Sequence, residues 1–191
     1  MSAGGFHVHG PHDHELEHAA QHDPEGFAGR LAVMTAVIAT VGALFSYEGG
    51  ATQANAVLFK NNAAIKKTEA SNQWNYFQAK SSKQNLAELG LELVPAERKA
   101  FYVDEIKRYK TEKAEIMAEA KKLEDASTDW DKKSDEQMHQ HHRWAQATTA
   151  LQISIALAAI ALLTKSKGLQ SGVYGLSAVG VVLGALAWFH I

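Results

Sequence analysis

Residues 144–164 read WAQATTALQISIALAAIALLT, a run without Asp, Glu, Lys, Arg or His. At about 1.5 Å per residue such a run crosses a hydrocarbon core about 30 Å thick. Gly168 to Phe189 is equally uncharged, and so is a third run, Leu31 to Tyr47, at the short end of what crosses. The chain is therefore expected to be an all-α membrane protein with three transmembrane helices. Its insert, Glu48 to Arg143, holds 16 acidic and 16 basic residues. Charge so dense and balanced suits solvated helices with ion pairs one turn apart. It does not suit a nucleic-acid face, which needs a basic excess. The chain has no cysteine, which excludes disulfides, thiolate metal sites and cysteine nucleophiles. The first apolar run lies behind an acidic, His-rich tail, not a short basic one, so no cleaved signal is expected.

The insert reads as two heptad helices. After Gly49-Gly50, which interrupts the pattern, a seven-residue repeat runs through Ala51, Leu58, Ile65, Asn72, Ala79, Leu86 and Leu93. Ala54, Asn61, Thr68, Asn75, Ser82 and Leu89 follow its members three residues on. This spacing predicts a helix whose seam is small and polar in its middle. A turn near 90–95 contains Pro95, which starts a helix well and continues one badly. The second arm repeats at Ile106, Lys113, Ala120, Ser127, Ser134 and His141, with Tyr109, Ile116, Leu123, Trp130 and Gln137 three residues on. No Pro or Gly intervenes before Trp144, which predicts one helix from about Ala96 through the second span. The expected organisation is a His-rich tail (1–29), a span (30–47), a coiled-coil-like antiparallel hairpin (48–143), a second span (144–164), a short basic loop (165–170) and a third span (171–190). A compact bundle over the membrane is the alternative to a hairpin stalk.

Lys165 and Lys167 occupy the shortest loop, where positive charge best reports the cytoplasmic side. That puts the N-terminus in the cytoplasm and the hairpin in the periplasm. Lys132, Lys133 and Arg143 argue the other way, with less weight in a long soluble segment.

Four groups of residues are candidates for function. In the tail, His7, His9, His12, His14, His18 and His22 alternate with acids, and imidazole suits Zn, Ni or Cu. Such a tail could hold a divalent metal, or could simply be solvated. His139, His141, His142, Arg143 and Trp144 flank the second span, where they would respond to pH, meet lipid headgroups or anchor the helix. His141 also falls on the seam and could pack inside the hairpin base. Trp74 and Phe77 lie off the first repeat and would be wet in a lone hairpin, so a second hairpin or a protein partner is expected there unless the register shifts inward. Gly180 and Gly184 form a GxxxG pair that marks a close helix contact, to another span or another subunit.

No HExxH, GxSxG, phosphate-binding loop or GxGxxG occurs, and Glu105, Glu112 and Glu119 read as a solvated face. The spans carry no ionisable group of the kind that pumps and transporters use. An oligomeric pore lined by Gln152 and Ser154 is the main alternative to a non-enzymatic scaffold that forms a homo-oligomer in the lipid bilayer. A metal sensor or buffer is a third reading.

Two segments, SNQWNYFQAKSSKQNL (Ser71 to Leu86) and HQHHRWAQATTALQISIALAAIALLT (His139 to Thr164), resemble the bacterial membrane-protein family filed as domain of unknown function 4337. The layout is similar too: a His- and Glu-bearing tail, one span, a long helical insert, then two closely spaced spans. The resemblance implies a bacterial inner-membrane location and no activity, and it carries no catalytic residues across.

Overall fold

The computed structural model describes residues 26–190, and the His-rich tail lies outside them. Three helices follow one another: α1 (Phe27–Leu93), α2 (Ala96–Thr164) and α3 (Lys167–Trp188). Each contains a segment long and apolar enough to cross a membrane. The expected helix from Ala96 through the second span is present as α2. Two local expectations are corrected. Gly49-Gly50 does not interrupt α1, which is continuous through it. The basic loop is shorter than 165–170, because α3 starts at Lys167.

The breaks between helices have local causes. Pro95 stops α1 and precedes α2, with Glu97 in the first turn of α2 favourably placed at the positive end of its dipole. Gly90 leaves room for the Tyr102 ring, which a Cβ would meet at 2.5 Å. At the other turn Lys165 adopts a left-handed φ of 49°. The Ser166 N–H then bonds the Ala161 carbonyl oxygen at 3.3 Å, a usual way to end a helix. The Ser166 side chain caps α3 by accepting from the Leu169 N–H.

The chain divides into two units. The first contains residues 1–53 and 138–191, and its described part is a three-helix bundle. Its core is Leu31, Ile38, Leu151, Ala158, Ala161 and Val173, all buried. Phe45, Met34, Ile155 and Leu169 pack around them. Leu151 is the central wedge, lying close to both Gly42 of α1 and Gly180 of α3.

The second unit, Ala54–Gln137, is the helical hairpin. The α2 seam lies where the sequence places it: Ile116, Ala120 and Ser134 are buried, and Tyr109, Leu123 and Trp130 half-buried. The α1 seam does not. Ala56, Ala63, Ala70, Gln84 and Ala87 face α2, whereas Leu58, Ile65, Leu86, Leu89 and Leu93 are exposed. The reason is steric. Ser134 Oγ donates to the Ala56 carbonyl oxygen at 2.8 Å, and Ser127 Oγ to that of Ala63 at 2.9 Å. A hydroxyl reaches a neighbouring helix's carbonyl only if the backbones approach closely. Alanine permits that approach, and leucine at the same positions would prevent it. Phe59 fills the wider space beside Trp130, their rings 5.4 Å apart.

Candidate functional site

A polar collar rings one end of the three-helix unit. His141 Nδ1 stands 2.8 Å from the Gly49 carbonyl oxygen, so this nitrogen carries the proton in that bond. Gly49 has no Cβ, and a Cβ there would lie 3.3 Å from Trp144 Cβ. Close approach of α1 and α2 thus delivers the carbonyl to the imidazole. Gln140 Nε2 donates to the Ala187 carbonyl oxygen, tying α2 to the last turn of α3. Phe45, Ser46, Gln53, His141, Trp144 and Thr149 are among the residues lining a shallow cavity of about 330 Å³.

The collar residues predicted from sequence divide into two sets. His139 and His142 are exposed and Arg143 is half-buried. His141 is half-buried on the seam, as one reading of the repeat had it. Trp144, only 3% exposed, packs as a core residue of the three-helix unit. Its ring packs against Phe45 at 5.2 Å and Trp188 at 6.4 Å.

The glycine pair makes the first of the two contacts its spacing allows, one to the other spans of the same chain. Gly180 receives the Leu151 side chain, and Gly184 receives the Phe45 ring. Both are buried and serve contacts within the chain. Ser154 and Gln152 differ in exposure within the single chain. Ser154 is fully buried. Its Oγ bonds the Val173 carbonyl oxygen at 2.9 Å and meets Ser177 Oγ at 2.6 Å. Gln152 is exposed on the outside of the bundle. Ser177 and Gln140 were missed in the sequence. A signal for Ser177 was present, since Val173, Ser177, Gly180, Gly184 and Ala187 recur at alternate steps of four and three along the buried face of α3.

In the hairpin unit Trp74 and Phe77 are half-buried in the single chain, neither fully wet nor packed in the seam. Trp74 Nε1 donates to Glu124 Oε1 at 2.8 Å, and its ring meets Phe77 edge-on at 5.7 Å. Lys113 Nζ lies 4.9 Å from the Phe77 centroid, an attractive cation–π distance. Beside them runs an open groove of about 670 Å³, whose walls include Lys60, Lys67, Trp74, Glu124 and Asp131. Lys60 and Asp131 pair across it at 2.6 Å, both well exposed.

A second charged cluster was also missed. Lys80 Nζ lies 2.6 Å from Glu112 Oε2, between the rings of Tyr76 and Tyr109. The Lys80 ammonium holds the Glu112 carboxyl below its ordinary range, and the Glu112 carboxylate, then Tyr76, raise Lys80. Arg108 adds a contact to Glu112 at 3.6 Å and pairs with Glu105 at 2.6 Å. Glu112 is therefore a cross-helix ion-pair partner and not part of a freely solvated face.

Among the described residues no cluster of three or more His, Asp or Glu is arranged to hold a metal ion. The proposed tail ligands, His7 to His22, lie outside those residues. No curated protein and no solved structure matches the chain. The family model described as "Domain of unknown function (DUF4337)" matches residues 27–190, which take in all three helices, the polar collar and the paired hairpin arms. The chain accordingly belongs to that family, as its segments around Trp74 and His142 had suggested.

Proposed function

We propose that this protein is a non-enzymatic membrane scaffold that self-associates. Its three apolar segments cross the bacterial inner membrane, with the N-terminus cytoplasmic and the hairpin periplasmic. His139, His142 and Arg143 then meet the headgroups. The observation that carries the reading is Gln152, a carboxamide near the middle of the second span that points out of the bundle. In hydrocarbon an amide without a partner is costly, and polar side chains across a helix pair supply one. Ala145, Thr149 and Ala156 are exposed beside it at helical steps, which gives a small-residue surface for close approach.

The test is the mass of the full chain, by light scattering, in mild detergent and in nanodiscs. More than one chain per particle is expected, with Gln152→Leu shifting the protein toward single chains. A strictly single-chain particle in both environments would falsify the scaffold reading.

A further inference from the structure

The outer face of α1 in the hairpin unit has no counterpart on α2. Leu58, Ile65, Leu86 and Leu89 recur there at heptad spacing, and each is more than half exposed. Lipid does not explain them, because the 32 charges of Glu48 to Arg143, 16 of each sign, keep this segment in water. The outer face of α2 is different in kind, with exposed charge at Lys107, Lys121, Asp125 and Lys132. A seven-residue apolar repeat is what a second helix of matching period covers.

We propose that this face is a parallel interface with a second copy of the chain. The proposal rests on the membrane reading above, since two copies inserted the same way present their α1 helices side by side and parallel. Three features fit a copy of the same helix. Among positions 54–93 the stripe itself carries no charge, so self-pairing buries no like charges. Its flanks also avoid repulsion: in a parallel heptad pair, Ala64 faces Glu69 of the other copy and Gln78 faces Lys83. Finally, Asn61, Asn72 and Asn75 lie on the stripe, exposed in the single chain. In register, each meets its own copy and the amides bond each other. A slip of one heptad sets Asn72 against Ile65 or Ala79 and leaves both amides unpaired. Asparagine at such positions specifies register and strand number at some loss of stability. The leucines thus supply attraction and the asparagines alignment.

The natural chain has no cysteine, so single cysteines report contacts cleanly. Core positions of a parallel pair fall within the roughly 4.4–6.8 Å between Cα atoms that a disulfide spans. Full-length chains carrying Ile65→Cys, Asn72→Cys or Leu86→Cys are oxidised in the membranes that contain them. A disulfide-linked species of twice the chain mass is expected for each, and none for Lys107→Cys or Lys121→Cys. Adding Ile65→Glu and Leu86→Glu to Asn72→Cys should abolish the cross-link while leaving helicity unchanged, because both side chains are already exposed in the single chain. Equal cross-linking at the α2 positions would overturn the interface, and so would a product whose mass shows a different protein. If light scattering finds an oligomer and the stripe does not cross-link, this interface is wrong and the scaffold reading survives. Single chains together with no cross-link would remove both.

Discussion

Gly180 shows how much one hydrogen atom decides in this bundle. A Cβ there would stand 2.5 Å from Leu151 Cδ2 and 3.3 Å from the Ala147 carbonyl oxygen. The leucine can turn aside, but the carbonyl belongs to a helix and cannot. Gly180→Ala should therefore destabilise the bundle by about 1–3 kcal/mol, the usual range for overpacking. Leu151→Ala alone opens a cavity in the core. Combining the two should cost less than the sum of the single changes, because each relieves the other's defect. Thermal unfolding in detergent of the two single variants and the double variant measures this coupling, and strict additivity would contradict the packing described. Ser154 is set by a different rule. Fully buried, its hydroxyl must find a partner, and the Val173 carbonyl oxygen and Ser177 provide two. The Ser154 hydroxyl is engaged in holding α3 against α2.

At the scale of the element, the hairpin arms are joined by a narrow small-residue seam near Ser134 and Ser127 and by charge nearer the turn. The Lys80–Glu112 pair makes this second region sensitive to pH. Glu112 is held below its ordinary value, so its contribution is present above the unfolded carboxylate pKa of about 4.3 and is lost as pH falls through the lower folded value. Lys80 is held above its ordinary value, so its contribution is full below about pH 10.4 and disappears as pH rises through the higher folded value. Hairpin stability should thus be flat across neutral pH and decline at both extremes. Glu112→Gln should flatten the acid decline and leave Lys80 without its counter-charge. Helicity followed from pH 2 to 11 in wild type and variant checks this, and an unchanged acid limb would exclude Glu112 as its source. Elsewhere the charges contribute less: Lys60 with Asp131 and Lys122 with Glu119 are exposed pairs in which water screens the attraction.

For the whole molecule, the absence of cysteine turns topology into a direct measurement. With the hairpin periplasmic, Lys121→Cys should react with a membrane-impermeant maleimide from the periplasmic side. Lys165→Cys, in the short loop, should react only after the membrane is opened. The reverse pattern would invert the proposed orientation without disturbing the helices. Much of this molecule was legible in the sequence by itself. Uncharged runs of sufficient length announce three helices apolar enough to cross a membrane, Pro95 and its neighbours announce the turn, and the bulky repeat of α2 announces its own buried seam. Residues that are large and apolar on one face of a helix and charged on the others leave a single reading. The first arm was different, because α1 carries two seven-residue faces, one led by Leu58 and Ile65 and one by Ala56 and Ala63. Periodicity reports that such faces exist, and hydrophobicity favours the leucines for burial. Only tertiary packing made the choice. Ser127 and Ser134 on α2 reach for backbone carbonyls, and the side chains opposite must be small enough to let the helices close. The same closeness hides Gly180 and Gly184 under Leu151 and Phe45. A sequence written along one helix records its own faces, but the shape of the neighbour decides which of them is buried.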